Sequence, residues 1–129
     1  MCYKEAMAMS VEATGLKVAV LLRIHGRVDG ETAPQLEQEC HRQIQSGPAR
    51  MILDLSGMEY ISSAGLGSVL VTGKKLDAQG GELILAGLTP KVKHIFRLTG
   101  FENLFKMFDT ASEAVRHCES QSAPPSGRR

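Results

Sequence analysis

Tryptophan is absent from this 129-residue chain, aromatic residues make up only 5% of it, and no basic stripe is interleaved with the few that occur. Nucleic-acid binding therefore has no support. Fifteen Lys and Arg against fourteen Asp and Glu leave a formal charge of +1, so attraction to a membrane surface has no support either. No apolar run approaches the ~20 residues that span a bilayer, and no membrane insertion is expected. The three cysteines, Cys2, Cys40 and Cys118, are far apart, odd in number and free of any C-x-x-C pair. That pattern excludes a disulfide framework and a structural zinc site. The residues before Thr14 are too few and too polar for a signal peptide, which makes a reducing cytoplasm the expected location. His25, His41, His94 and His117 form neither H-x-x-x-H nor H-E-x-x-H, so they read as ordinary surface or half-buried side chains. No metal and no cofactor are expected.

What is present is an ordinary apolar content, 43%, in a chain of single-domain size. Residues 1–6 read as a flexible N-terminus, 7–119 as one domain and 120–129 as a disordered tail. Met7 to Ala13 and Lys17 to Ile24 read as a hairpin that turns at Thr14-Gly15, with His25-Gly26-Arg27-Val28-Asp29-Gly30 closing the second strand. Thr32 is a fair N-cap for a helix whose apolar face carries Leu36, Cys40 and Ile44 and which ends near Ser46-Gly47-Pro48. Met51 to Leu55 is a short apolar run suited to a strand buried on both faces. A connection over Ser56 to Tyr60 then leads to a helix from about Ala64 to Gln79. Glu82 to Ala86 is a further strand, and Thr89-Pro90 combines an N-cap with proline at the first helical position. Leu104 to Phe108 is a short last strand, followed by a helix capped by Asp109 or Thr110. Strands alternating with helices predict an α/β fold: a mixed, mainly parallel sheet of about four to five strands with helices packed against it.

The stretch from Tyr60 to Val71 is the most informative, because two adjacent hydroxyls, Ser62 and Ser63, fall where a strand hands over to a helix. Unpaired main-chain N–H groups and the positive end of the helix dipole collect there, so a serine oxygen can cap the helix and a phosphate would be well placed. On the residues alone, capping and regulation both remain open. Hydrolase chemistry fares poorly: Ser63 lacks the G-x-S-x-G spacing, and no histidine is tied to it. Gly73-Lys74-Lys75 lies inside a helix and lacks the hydroxyl of a phosphate-binding loop. Asp29, Glu31, Asp54 and Glu59 are candidate acids, but three of the four sit at turns, where acids cap or solvate. Phe96, Phe101, Phe105 and Phe108 read as core, and Lys91 and Lys93 as a solvated helix face.

The run Asp54-Leu55-Ser56-Gly57-Met58-Glu59-Tyr60-Ile61-Ser62-Ser63-Ala64-Gly65-Leu66-Gly67 resembles the signature of the STAS domain, as found in anti-sigma factor antagonists. Gly26-Arg27-Val28-Asp29, Gly80-Gly81-Glu82-Leu83, and Thr89-Pro90-Lys91-Val92-Lys93 leading to Leu98-Thr99-Gly100-Phe101 extend the likeness to about residues 8–118. The resemblance implies a partner switch with no catalytic activity of its own. In that family the dephosphorylated domain binds a serine kinase that doubles as an anti-sigma factor, which frees the sigma factor. The kinase phosphorylates the antagonist, and a serine phosphatase of the PP2C type restores it. By the family's register Ser62 takes the place of the usual aspartate, Ser63 becomes the acceptor in preference to Ser62, and Ala64 replaces the second hydroxyl. The implied partner surface comprises Asp29, Thr32, Met58, Ser62, Ser63, Ala64, Gly65, Leu66 and Gly67. Within it Met58 and Leu66 are expected to expose an apolar patch, while Val69 is expected in the core. Turn formation and capping compete as explanations for Asp29 and Thr32, and close helix packing competes for Gly65 and Gly67. The alternative is a STAS subunit that binds its partner constitutively, as a component of an ABC lipid transporter or as a signalling scaffold, with the serines serving only as a cap. A homodimer is left open.

Overall fold

The computed structural model describes residues 9–46 and 50–121. In chain order these residues form β1 (Met9–Gly15), β2 (Val20–Val28), α1 (Ala33–Ser46), β3 (Arg50–Ile61), α2 (Ser63–Ala78), β4 (Glu82–Ala86), α3 (Pro90–Leu98), a 3-10 turn (Phe101–Asn103), β5 (Lys106–Phe108) and α4 (Ala111–Ser120). The strands make one sheet in the order β1-β2-β3-β4-β5. β1 runs antiparallel to β2, and every other neighbouring pair is parallel, so the α/β expectation holds.

The strand periodicity divides the apolar residues between two faces. Met51, Leu53 and Leu55 of β3 join Leu22, Ile24 and Leu85 on the face covered by Leu36, Cys40 and Ile44 of α1, Val69 and Leu76 of α2, and Val92 and Phe96 of α3. Ile52 of β3 joins Leu21 and Ile84 on the other face, where α4 lays down Ala114 and Cys118. Three helices thus cover one face and one covers the other. Each fully buried leucine, isoleucine or phenylalanine contributes about 1.5–3 kcal/mol, which makes this double burial the main stabilising force on the sheet. Burial also pushes the Cys40 thiol up to about 11, against a weaker opposing hydrogen bond to Thr72. Cys40 accordingly stays protonated and unreactive at neutral pH. Of the four phenylalanines, Phe96 is fully buried. Phe101 and Phe105 are half-buried and extend from it as a ring cluster, Phe96 to Phe101 at 5.7 Å edge-on and Phe101 to Phe105 at 6.1 Å.

Several boundaries differ from the expectation. Thr14 and Gly15 belong to β1, and the hairpin turns later, closed by the Leu16 N–H donating to the Ala19 carbonyl at 2.9 Å. β2 continues through His25 to Val28 because Gly26, at φ 93°, absorbs an irregularity in the pairing with β3. Such a bulge lets a strand pass a glycine that otherwise signals a turn. β3 accordingly does not stop at Leu55; Ser56 to Tyr60 are strand rather than connection. Gly57 leaves room there for the His25 ring across the pair, which a Cβ would meet in its present position. β5 is shorter than expected, since Leu104 and Phe105 precede it. α4 is capped by Thr110, whose hydroxyl accepts from the Glu113 N–H at 3.1 Å, and it runs on through Ser120. Gln121 is held as well, its carbonyl accepting from Arg50 Nη1 at 3.0 Å. The expected strand start at Met7, the Gly47-Pro48 stop and the rest of the expected tail lie outside the described residues.

Candidate functional site

Two parallel strands end side by side at the carboxyl edge of the sheet, Val28 of β2 opposite Ile61 of β3. Chain ends of this kind deliver the following loops to a common surface. Here the loops are tied together: the Ser62 N–H donates to the Val28 carbonyl at 2.8 Å. Gly65, one turn into α2, sits directly on the same pair, because a Cβ there would come within 2.7 Å of both Ile61 and Val28 side-chain carbons. Close packing of helix on sheet is therefore what Gly65 serves. Gly67 is different: a Cβ there would find nothing within 4 Å, and the residue is half-exposed.

Helix α2 starts at Ser63, one residue before the expected start, and Ser62 is its N-cap. Ser62 has extended backbone at φ −94° and ψ 177°, and its hydroxyl accepts from the Gly65 N–H at 3.3 Å. The first helical bond follows, Leu66 N–H to the Ser62 carbonyl at 2.9 Å. The opening turn of a helix leaves its first N–H groups without partners inside it. The cap takes that of Gly65, and those of Ser63 and Ala64 remain at the helix end. Ser63 is exposed, and its hydroxyl makes no hydrogen bond among the described residues. The two adjacent serines thus have separate duties: one hydroxyl is spent on the backbone, and the other faces outward.

Beside them, the loop after β2 folds on itself. The Asp29 carboxylate accepts from the N–H groups of Glu31 at 3.0 Å and Thr32 at 3.3 Å. The Thr32 hydroxyl in turn accepts from the Asp29 N–H at 2.9 Å and donates to the Arg27 carbonyl at 2.8 Å. Thr32 stands at the expected N-cap position, directly before α1, and its carbonyl accepts from the Leu36 N–H at 3.2 Å, but its side chain closes the loop instead of capping the helix. The Glu31 N–H above all, helped by Thr32 and the Arg27 charge, holds the Asp29 carboxyl below the usual carboxylate range despite some opposing desolvation. Asp29 is ionised at neutral pH, fixed in place and half-exposed.

The expected apolar patch is not formed. Met58 is 2% exposed and Leu66 8%, and both belong to the core together with Val69. Met58 points inward because the extension of β3 keeps the strand alternation going past Leu55. The exposed surface at this edge is polar and small, made of Ser63, Ala64 and Gly67 with Asp29 and Thr32 alongside. Among the candidate acids, Asp54 is buried and bonded to Arg23 Nε at 3.2 Å and to the Ser56 hydroxyl at 2.8 Å, a structural arrangement. Arg27 lies over the Tyr60 ring at 4.6 Å, beside the same loop.

A groove that sequence reasoning missed begins at this edge. It lies between α1 and α2 and is lined in part by Gly30, Ala33, Glu37, Ala64 and Ser68. Ser68, 3% exposed, donates to Glu37 Oε1 at 3.1 Å across the two helices. A glutamate on the polar side of one helix and a serine inside another, 31 residues apart, give no local signal of being joined.

Among the described residues no helix is long and apolar enough to cross a membrane. Nor do those residues hold a group of His, Cys, Asp and Glu placed to bind a metal ion.

The geometry defines an α/β domain with adjacent serines at the start of α2, and comparison with known proteins gives its family. The STAS domain family matches residues 10–114. The chain is 39% identical over 101 residues to the Bordetella bronchiseptica protein BtrV, named as an anti-sigma factor antagonist, an alignment covering 78% of this chain and 84% of BtrV. An anti-sigma factor antagonist from Mycobacterium paratuberculosis shares the fold with a TM-score of 0.79 at 23% identity, covering 86% of this chain and 94% of that one. The anti-sigma factor antagonist SpoIIAA shares it in its unphosphorylated form, with a TM-score of 0.75 at 24% identity and coverage of 88% and 97%. The phosphorylated form of SpoIIAA gives 0.67 at 24% identity, covering 85% and 98%. This chain belongs to the STAS domain family.

Proposed function

We propose that this protein is a cytoplasmic anti-sigma factor antagonist that binds an anti-sigma serine kinase through the carboxyl edge of its sheet and is released when that kinase phosphorylates Ser63. A PP2C-type phosphatase then resets it, and the domain itself catalyses nothing. The observation that carries this reading is the division of labour between the two serines. Ser62 already has its hydroxyl committed to Gly65, whereas Ser63 offers an exposed hydroxyl at the first position of a helix with unpartnered N–H groups beside it. The names of relatives such as BtrV support the same assignment. The fold is also shared with SpoIIAA in both its unphosphorylated and its phosphorylated form, so in that protein it accommodates the modification.

The physics of release is electrostatic. A phosphoserine adds about 1.5 to 2 negative charges and three strong acceptors. On the free domain these oxygens meet the positive end of α2. In a complex that packs on Ser63, the same charge must be desolvated without a partner, and a loss of ~3 kcal/mol there weakens binding by more than a hundredfold. Ser62 in place of the usual acid leaves one carboxylate fewer beside that phosphate, while Asp29 remains ionised nearby.

The test is to incubate the chain with ATP and each anti-sigma-type serine kinase of the same organism and to locate phosphate by mass spectrometry. Phosphate is expected on Ser63 and not on Ser62. Ser63→Asp is expected to lose kinase binding, and Ser63→Ala to keep it. Stable association with no modification, and equal affinity of both variants, would establish a constitutive STAS subunit instead.

A further inference from the structure

We infer that the groove between α1 and α2 is the seat of a cationic side chain, an arginine or a lysine, carried by the protein that covers Ser63. The inference rests on the reading of Ser63 as the control point. The groove holds about 490 Å³ and opens at Gly30 and Ala64, which adjoin Asp29 and Ser63 in the chain; it ends at His41 and Lys75. Ala64 belongs both to the acceptor turn and to the groove wall, so a protein seated on the first also covers the mouth of the second.

Glu37 decides the occupant. Glu37 is half-buried, with its carboxylate Oε1 held by the Ser68 hydroxyl at 3.1 Å. No cation stands within salt-bridge distance of it among the described residues. The other half-buried glutamates among the described residues are matched, Glu39 by Arg42 and Glu82 by Arg50 and Lys106, whereas those without an ion pair, such as Glu12, Glu59 and Glu119, are exposed. Lys75 does not serve Glu37, because its ammonium is placed against His41 Nδ1 at 3.3 Å. Ser68 and Lys75 are also separated by about 10 Å of helix at the usual rise per residue. The groove therefore carries a half-buried glutamate with one carboxylate oxygen anchored and no ion-pair partner among the described residues.

A carboxylate in that state gains most from a charge-assisted bond to an incoming cation. Ala33, Pro34 and Ala64 on the walls suit the aliphatic stem of an arginine or lysine. An apolar side chain would strip more water from Glu37 without compensation, and an acidic one would be repelled, so the groove also discriminates between competing kinases.

The experiment measures affinity of the full chain for the anti-sigma-type kinase of the same organism with ADP bound, at low and high salt. Glu37→Gln keeps an oxygen for Ser68, so the fold is retained, and it is expected to weaken binding about tenfold and to flatten the salt dependence. Glu37→Lys is expected to cost about a hundredfold, and a kinase Arg→Glu or Lys→Glu variant is expected to recover binding to it. Wild-type affinity in both Glu37 variants, with Ser63→Asp still unbound, would overturn the groove and leave the switch standing. Full binding by Ser63→Asp together with loss in Glu37→Lys would keep the groove and overturn the switch.

Discussion

The two ends of the parallel sheet handle their polar groups in opposite ways. At the amino edge, Arg50 of β3, Glu82 of β4, Lys106 of β5 and His117 of α4 converge. Arg50 Nε lies 3.2 Å from Glu82, and Lys106 and His117 approach the same carboxylate at 3.8 and 3.9 Å. Arg50 also fastens the Gln121 carbonyl at the end of α4. At the carboxyl edge the fastening is done by main-chain groups and by Ser62, and Ser63 is left over. The difference follows from chain direction: helices that follow parallel strands turn their N-termini, with their spare N–H groups, toward the carboxyl edge. A side chain can be idle there without leaving a buried polar group unpaired. The amino edge has no such freedom, because Arg50 is 5% exposed and must be matched.

If the edges are divided in this way, stability and binding should respond to different residues. Arg50→Ala should have the largest effect on folding, about 3 kcal/mol, because it leaves Glu82 without its closest cation and frees the end of α4. Urea titration measures this, and affinity for the kinase proposed as partner should be unchanged. Ser62→Ala should cost about 1 kcal/mol through loss of the cap, while phosphate transfer to position 63 persists on mass spectrometry. Loss of that transfer with an intact fold would instead make Ser62 the acceptor. Lys106→Ala should be the mildest, below about 1 kcal/mol by thermal unfolding, since the lysine is mostly exposed and its ion pair is long.

Much of the carboxyl edge is legible in the sequence because its signals are local. Thr89-Pro90 and Ser62-Ser63 each sit within one turn of the N–H groups they serve, so spacing alone reveals a helix start. The Thr89 hydroxyl does accept from the Val92 N–H, at 3.3 Å. The length of β2 and β3 is not legible, since Gly26 and Ser56-Gly57 look like turns until the partner strand that carries them past is known. The burial of Met58 escapes for the same reason, its inward direction depending on a strand that continues. Thr32 has the right residue type for a cap, yet its hydroxyl oxygen accepts from the Asp29 N–H three residues back instead of from the first turn of α1. The Glu37–Ser68 bond is invisible without the packing of two helices.

Gly67 stands one turn beyond Ser63, and a side chain added there meets nothing. Glycine inside a helix forgoes about 1 kcal/mol relative to alanine, so the fold would be sturdier with almost any other residue at this point. The vacancy is a handle for engineering. If the kinase proposed as partner covers this turn, a bulky residue placed at position 67 and a matching hollow carved in that kinase would create an insulated pair, able to run beside the unmodified pair in one cell without cross-talk.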